Sequence, residues 1–216
     1  MPRMSREVAA QHRQQVIRNT SRLIREKGAD GVTVPEAMDS AGLTHGGFYR
    51  HFASKDDLLA QALTAAFVER RSAMDRISED HDSPDGPSAR ASFLAMYLSE
   101  PHRDHPADGC PAAAVAADAA RTEPGTPLRT AFTAGLRDLA DGLRQWDEPE
   151  REGGTDAALA DLALLVGTVL LARASDDQEL SRAFLEAARD RLDPQSTQGT
   201  HGTQTSESSA TSTPGI

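Results

Sequence analysis

The run THGGFYRHFASK at positions 44–55 sets three polar side chains, Tyr49, Arg50 and His51, between two phenylalanines four residues apart. Phe48 and Phe52 at that spacing share one helix face and point towards a core. Tyr49, Arg50 and His51 then point elsewhere, where a merely structural helix has little use for them. An exposed polar helix behind a short turn is the pattern of a helix-turn-helix. The second chemically capable group is Cys110, the single cysteine, in Gly109-Cys110-Pro111 at the start of an alanine-rich run. Proline favours the first helical position, so Cys110 is expected at the N-cap, where unpaired N–H groups and the helix dipole favour a thiolate. Two readings follow. Cys110 is a sensor of reactive carbonyls, quinones or hypohalous oxidants, or it is a small buried cap residue beside a pocket; only exposure makes such a thiol reactive.

The elements that must position the polar group can be read locally. Thr33 and Glu36 have capping-box spacing, which predicts a helix from Val34 with Ala37, Met38 and Ala41 on its apolar side. Gly42 can take the positive φ that ends it. Leu43 plugs the turn, and Thr44 is expected to cap a second helix carrying His45 to His51. Ser54 with Asp57 marks another helix start, with Lys55 in its first turn.

The string AGLTHGGFYRHFASKDDLL resembles the helix-turn-helix signature of TetR/AcrR-type (tetracycline-repressor-like) transcriptional regulators. The close likeness covers residues 12–63 and is architectural beyond them. The resemblance implies that Tyr49, His51 and Lys55 hold DNA phosphates. Thr33 is placed to offer its hydroxyl and a helix N-terminal N–H to another phosphate. Base reading is expected from Thr44, His45, the edge at Gly46–Gly47, and Arg50, whose guanidinium suits guanine. Gly47 departs from family members with a larger side chain there, which removes one base contact. The Gly-Cys-Pro-Ala-Ala helix start resembles one branch of the same family. The family mechanism implies a two-fold homodimer on a pseudo-palindromic operator, whose heads spread when an effector binds the body.

Composition agrees with that reading. Residues 1–55 carry nine Lys/Arg and five acids, a charge of +4, whereas the rest carries 14 basic and 28 acidic residues, −14. A basic head on an acidic body favours phosphate contact at one end. Aromatics are 4% and no run alternates β-branched residues, so an all-α fold is expected. No apolar run reaches the ~20 residues of a membrane span. The N-terminus lacks the apolar stretch of a secretory signal, and one cysteine fits a reducing cytoplasm.

The remaining chain predicts a helix over 5–27 with Ala9, His12, Val16, Thr20, Leu23 and Ile24 inward, and Arg6, Arg13, Arg18, Arg22 and Arg25 outward, the N-terminal arginines near phosphate. A long helix follows from Ser54 to about Asp80, then a turn at 81–88 and a helix Ala89–Ser99. Phe93, Met96, Tyr97, Cys110, Phe132 and Leu136 are candidates to line a ligand pocket. Residues 100–110 are expected to be loop. Their His102, Asp104, His105, Asp108 and Cys110 lack standard zinc spacing, so no metal or cofactor is expected. Residues 127–146, 156–174 and 177–191 read as helices, with a charged loop at 147–156. The helices within 156–191 expose more apolar surface than a monomer covers, which implies a dimer through a four-helix bundle. Asp161 interrupts the apolar 156–174 run, which is read as a buried helix too short for a span. The Ser/Thr-rich tail, 193–216, is expected to be disordered.

These readings give a three-helix DNA-binding head over 1–55, a helical regulatory and dimerisation domain over 56–192, and about nine helices. The expected partners are double-stranded DNA, a small-molecule or electrophile effector, and a second copy; no membrane is expected. No nucleotide loop, nucleophile elbow or paired-carboxylate site appears, so no enzyme is expected. A helical adaptor that uses the same polar face for a protein partner is the non-DNA alternative.

Overall fold

The computed structural model describes residues 6–80, 88–146 and 154–193. The turn expected over 81–88, the loop over 147–156 and the tail from 193 fall almost wholly outside those residues. Among the described residues the chain is all-helical. Nine α-helices, α1 (Arg6–Lys27), α2 (Val34–Asp39), α3 (Lys55–Asp80), α4 (Ala89–Tyr97), α5 (Glu100–Asp104), α6 (Pro111–Arg121), α7 (Pro127–Arg144), α8 (Gly154–Ala174) and α9 (Gln178–Leu192), are joined by two short 3-10 turns, His45–Arg50 and Pro106–Asp108.

Local chemistry explains most helix starts. The Ser54 hydroxyl accepts from Asp57 N at 3.0 Å and the Asp57 carboxylate accepts from Ala53 N at 3.0 Å, a reciprocal cap at the head of α3. Asp177 caps α9 by accepting from Glu179 N and Leu180 N. The expected helix Ala89–Ser99 ends early: α4 stops at Tyr97, and Ser99 starts α5 by accepting from His102 N at 3.2 Å. The expected loop over 100–110 is therefore mostly helical, because Ser99-Glu100-Pro101 combines an N-cap with a proline in the first turn.

Packing centres on α3, which buries a stripe of Leu58, Leu59, Ala62, Leu63, Ala66, Phe67 and Met74, with Arg70 among them. Two glycines on α7 receive its large side chains. A Cβ at Gly135 would overlap the Phe67 ring, and one at Gly142 would lie 2.7 Å from Met74 Cε. Both contacts advance by seven residues, so α3 and α7 run side by side in one direction in a heptad register. Trp146 closes this layer: its indole donates to Ser78 Oγ at 2.6 Å and its ring lies 5.0 Å from Phe93.

Helix α8 packs against α7 and α9. Contrary to the expectation from the break at Asp161, residues 157–174 are long and apolar enough for a membrane span by length and composition, with a mean hydropathy of 1.8. One acid leaves the mean hydropathy high; in the fold Arg90 on α4 pairs with it at 2.6 Å, and the inner side of α8 is taken up by packing. Leu159, Leu170 and Leu171 on α8 and Leu180 on α9 remain exposed.

Candidate nucleic-acid interface and the core behind it

Helix α2 begins as its capping residues dictate. Thr33 Oγ1 accepts from Glu36 N at 3.3 Å, but the Glu36 carboxylate pairs with Lys27 instead of returning to Thr33 N–H. Only half of the capping box forms. Gly42 at φ +69 ends the helix, with Gly42 N donating to Asp39 O (2.9 Å) and Leu43 N to Met38 O (3.0 Å), the paired bonds of a Schellman ending.

The following segment corrects one expectation. His45–Arg50 is a 3-10 turn and not an α-helix, and Thr44 is extended with no side-chain cap bond. Gly46 and Gly47 each lower helix propensity by about 1 kcal/mol, and six residues offer too few i→i+4 bonds to offset that. The side chains still divide as expected. Phe48 and Phe52 are buried with ring centroids 5.5 Å apart, whereas Tyr49 is 80% exposed beside Thr44, His45, Gly46 and Arg50 on the outer side. Gly47, His51 and Lys55 are half-buried at the margin. Burial, followed by the charges of His12, Arg13 and Arg50, lowers the His51 pKa, so its imidazole is neutral near pH 7 and offers a single N–H donor.

The arginines of α1 are the second correction. Arg13 donates Nε to His51 O at 3.1 Å, reaches Gln61, and lies 5.4 Å over the Phe52 ring, so it fastens the turn to α3. Arg25 is buried: it pairs with Glu69 at 2.8 Å, and desolvation lowers its pKa against that pairing. Arg22 pairs with Asp108. Arg6 and Arg18 remain on the exposed face. Arg13 and Arg25 lie beside residues that the heptad-like inner pattern left out, since α1 buries Ile17, Ser21 and Arg25 besides Val16, Thr20 and Ile24.

A further contact joins the α1 terminus to the body. The Asp118 carboxylate on α6 accepts from Ala29 N at 2.6 Å and from Arg121 at 2.7 Å. Gly28, at φ +76, ends α1 there, and a Cβ on it would lie 2.7 Å from Asp118 Oδ2. Asp118 did not stand out in the sequence, and Asp108 did so only within the discarded metal cluster, because Ala29 and Arg22 lie 89 and 86 positions away from them.

The six candidate pocket residues are not brought together. Phe93 and Tyr97 line a closed space of ≈ 10 Å³ between α3, α4, α7 and α8, with Cys110 and half-buried Met96 in the same core. Phe132 and Leu136 instead line an open groove of ≈ 820 Å³ between α7 and α8. Cys110 holds the N-cap position before Pro111, but it caps through its backbone alone, and its thiol is 0% exposed. Tyr97, beside that thiol, has its pKa raised well above the usual value, first by burial. The acid and histidine cluster after α4 disperses: His102 Nδ1 lies 2.6 Å from Tyr97 O, Asp104 pairs with Arg103, and Asp108 with Arg22. Among the described residues no three such side chains are placed to hold a metal ion. Sequence reading missed two cations of the body, buried Arg70 and half-buried Arg173; the place of Arg70 on the α3 stripe, between Phe67 and Met74, was the available signal.

Residues 16–62 match the model of the family described as bacterial regulatory proteins, tetR family. The chain is 30% identical over 100 residues to the HTH-type transcriptional regulator TtgR of Pseudomonas putida, covering 46% of this chain and 47% of that protein. The same figures hold for the probable HTH-type transcriptional regulator ArpR of the same species. The chain thus matches about half the length of these curated relatives. Among solved structures, E. coli NemR in its reduced form has a TM-score of 0.68 at 19% identity, covering 85% of this chain and 96% of that one. A TetR-family transcriptional regulator from Streptomyces coelicolor, SCO4454, has a TM-score of 0.65 at 21% identity, with 88% and 96% covered. At such identities the structural neighbours share the fold alone, and the family match rests on the head, residues 16–62.

Proposed function

We propose that this chain is a DNA-binding transcriptional regulator of the tetR kind, a homodimeric repressor that a small-molecule inducer releases from a pseudo-palindromic operator. The observation that carries the reading is the head itself. Buried Phe48 and Phe52 hold a turn that presents Tyr49, Arg50, Thr44 and His45 to solvent in one short stretch. In this reading Thr33, Tyr49, His51 and Lys55 contact phosphates, and Thr44, His45, Gly46, Gly47 and Arg50 face the bases. Residues 1–55 act as the head and 56–192 as the regulatory and dimerisation domain, within the branch marked by Gly109-Cys110-Pro111. Exposed Leu159, Leu170, Leu171 and Leu180 support pairing of α8 and α9 with their copies. The protein works in the cytoplasm, without enzymatic activity and without a membrane partner. The complete burial of Cys110 favours an inducer that binds noncovalently over modification of the thiol.

Fluorescence anisotropy on DNA upstream of the protein's own gene, backed by selection from random DNA, tests the assignment. Binding should weaken steeply with salt. Lys55→Ala should reduce the salt slope by about 1, and Tyr49→Ala should weaken binding on every sequence to a similar extent. Salt-independent binding that survives both substitutions would instead indicate the adaptor reading.

A further inference from the structure

Two guanidinium groups lie within the helical body without a carboxylate partner among the described residues. Arg70 on α3 is 7% exposed. It donates Nη2 to Asp108 O at 3.0 Å and sets Nη1 3.9 Å from the Met96 sulfur, and its Nε has no partner. Arg173, near the end of α8, donates Nε to Arg103 O at 2.8 Å and Nη2 to His102 O at 2.7 Å. His102 and Tyr97 sit beside them with ring centroids 4.5 Å apart. The His102 Nδ1 faces the Tyr97 carbonyl and so carries the proton, which leaves Nε2 as a lone pair without a partner, and the Tyr97 hydroxyl has only the Cys110 thiol beside it.

Neither ring offsets the charge. Burial and the two arginines hold the His102 pKa down to about 4, so it is neutral at pH 7, and burial keeps the Tyr97 phenol protonated. Arg70, buried and served only by a carbonyl dipole and a thioether, is costly to keep charged, and an anion would relieve it; Arg173 beside it is half-buried. The space beside them is otherwise apolar. Arg70 and Tyr97 share the ≈ 10 Å³ space with Met74, Phe93, Leu139 and Leu162, room for about one water. Leu162 also lines the ≈ 820 Å³ groove that holds Phe132 and Leu136. Leu162 thus borders both the open apolar groove and the small space at Arg70.

We propose that the body binds an amphipathic monocarboxylate across Leu162. The carboxylate accepts from the open Nε of Arg70 and from the Tyr97 hydroxyl, the aromatic or aliphatic body displaces Leu162, and its far end rests on Phe132 and Leu136. Charge-assisted bonds to a guanidinium in a dry site favour the acid over any neutral isostere. The proposal rests on the effector reading above and names the effector's class.

The single tryptophan reports on the site, because Trp146 stacks on Phe93 at 5.0 Å. Titrating the full chain with benzoate, 3-phenylpropionate and 4-phenylbutyrate, each against its amide, should give a saturable change in Trp146 emission for an acid. The matching amide should bind at least about tenfold more weakly. Arg70→Met should weaken the acid about tenfold or more without affecting the amide, and Leu162→Ala should tighten it. If Arg70→Met does not fold, Tyr97→Phe serves as the second variant and should weaken the acid alone. Equal binding of acids and amides, or no saturation by any of the three acids at millimolar concentration, would overturn the proposal. Operator binding by the free protein is read separately: its absence bears on the regulator assignment and leaves the acid titration intact.

Discussion

The Phe67 ring on α3 occupies the place where Gly135 on α7 would carry a side chain. One turn pair further along, Met74 does the same over Gly142. These two notches let the central helices approach within the reach of backbone atoms, and they fix the register in which Arg71 can donate to Asp138 O (3.1 Å) and Gln145 Oε1 (3.1 Å). The register matters for function, since α3 runs from the head at Lys55 to the small space at Arg70.

Gly135→Ala is therefore expected to destabilise the chain despite the better helix propensity of alanine. The propensity gain is about 1 kcal/mol, whereas overpacking a closed helix contact costs typically about 1–3 kcal/mol. Urea unfolding should show a lower midpoint for Gly135→Ala, while an alanine at Gly125, where φ is +84 but no atom lies within 4 Å, tests strain without crowding. A midpoint raised by Gly135→Ala would mean that Phe67 moves aside freely.

His102 makes stability depend on pH in a stated direction. Its pKa is lowered from 6.5 to about 4 in the folded chain, first by desolvation and then by Arg70. Between those values the unfolded chain binds the proton that the folded chain refuses, so stability rises with pH through that window and the gain is complete above it. The span is worth roughly 3 kcal/mol at most. Measured between pH 7.5 and 5, the loss of stability should be smaller in His102→Asn than in wild type. An identical loss in both would show that the imidazole titrates normally. The sign is independent of the many surface carboxylates, because the comparison is between two proteins that share them.

Much of the head was legible in the sequence because its determinants are local. Thr33 before Pro35, Gly42 after α2, and the Ser54–Asp57 pair each act within a few residues, and the structure places every one of those helix ends where the spacing put it. The Phe48–Phe52 pair likewise separated core from surface. The 3-10 geometry of His45–Arg50 was not legible, since capping by Thr44 and the weakness of the Gly46–Gly47 pair pull in opposite directions. The body was harder for a different reason. Arg22–Asp108 and Arg90–Asp161 join positions 86 and 71 apart, and the notches at Gly135 and Gly142 have no meaning until α3 is laid beside them. The division of the pocket candidates between two spaces was hidden on the same ground: nothing local to Phe93 or Phe132 says that Leu162 borders both.

The bond between Asp118 and Ala29 N carries the next expectation. Removing the carboxylate leaves a buried N–H without an acceptor, at a cost of about 1–3 kcal/mol. Asp118→Ala should therefore speed amide exchange at Ala29 and loosen the α1 terminus, while Asp118→Asn, which keeps an acceptor oxygen, should do so less. Hydrogen exchange read at that amide separates the two. Equal exchange in wild type and Asp118→Ala would mean that water replaces the carboxylate at no cost. Since α6 starts at Cys110, beside Tyr97, and reaches the head through Asp118, the same variant should also change operator affinity relative to an exposed control such as Glu123→Ala.

The exposed leucines of α8 and α9 supply the last expectation. Leu170, Leu171 and Leu180 are 42%, 50% and 49% exposed, and a surface of scattered leucines would not need explanation. Here they lie near the end of α8 and in the first turn of α9, on helices whose other sides are already packed, so a second copy is the simplest cover. In a two-fold interface one substitution acts twice, once in each copy. Leu170→Glu with Leu180→Glu should therefore give a monomer by analytical ultracentrifugation, with the helical far-ultraviolet signal retained because neither side chain is core. Operator binding should fall with it, since one head alone holds half the phosphate contacts. A doubly substituted chain that still sediments as a dimer would place the interface elsewhere, and one that loses its helical signal would show that these leucines pack within the protomer.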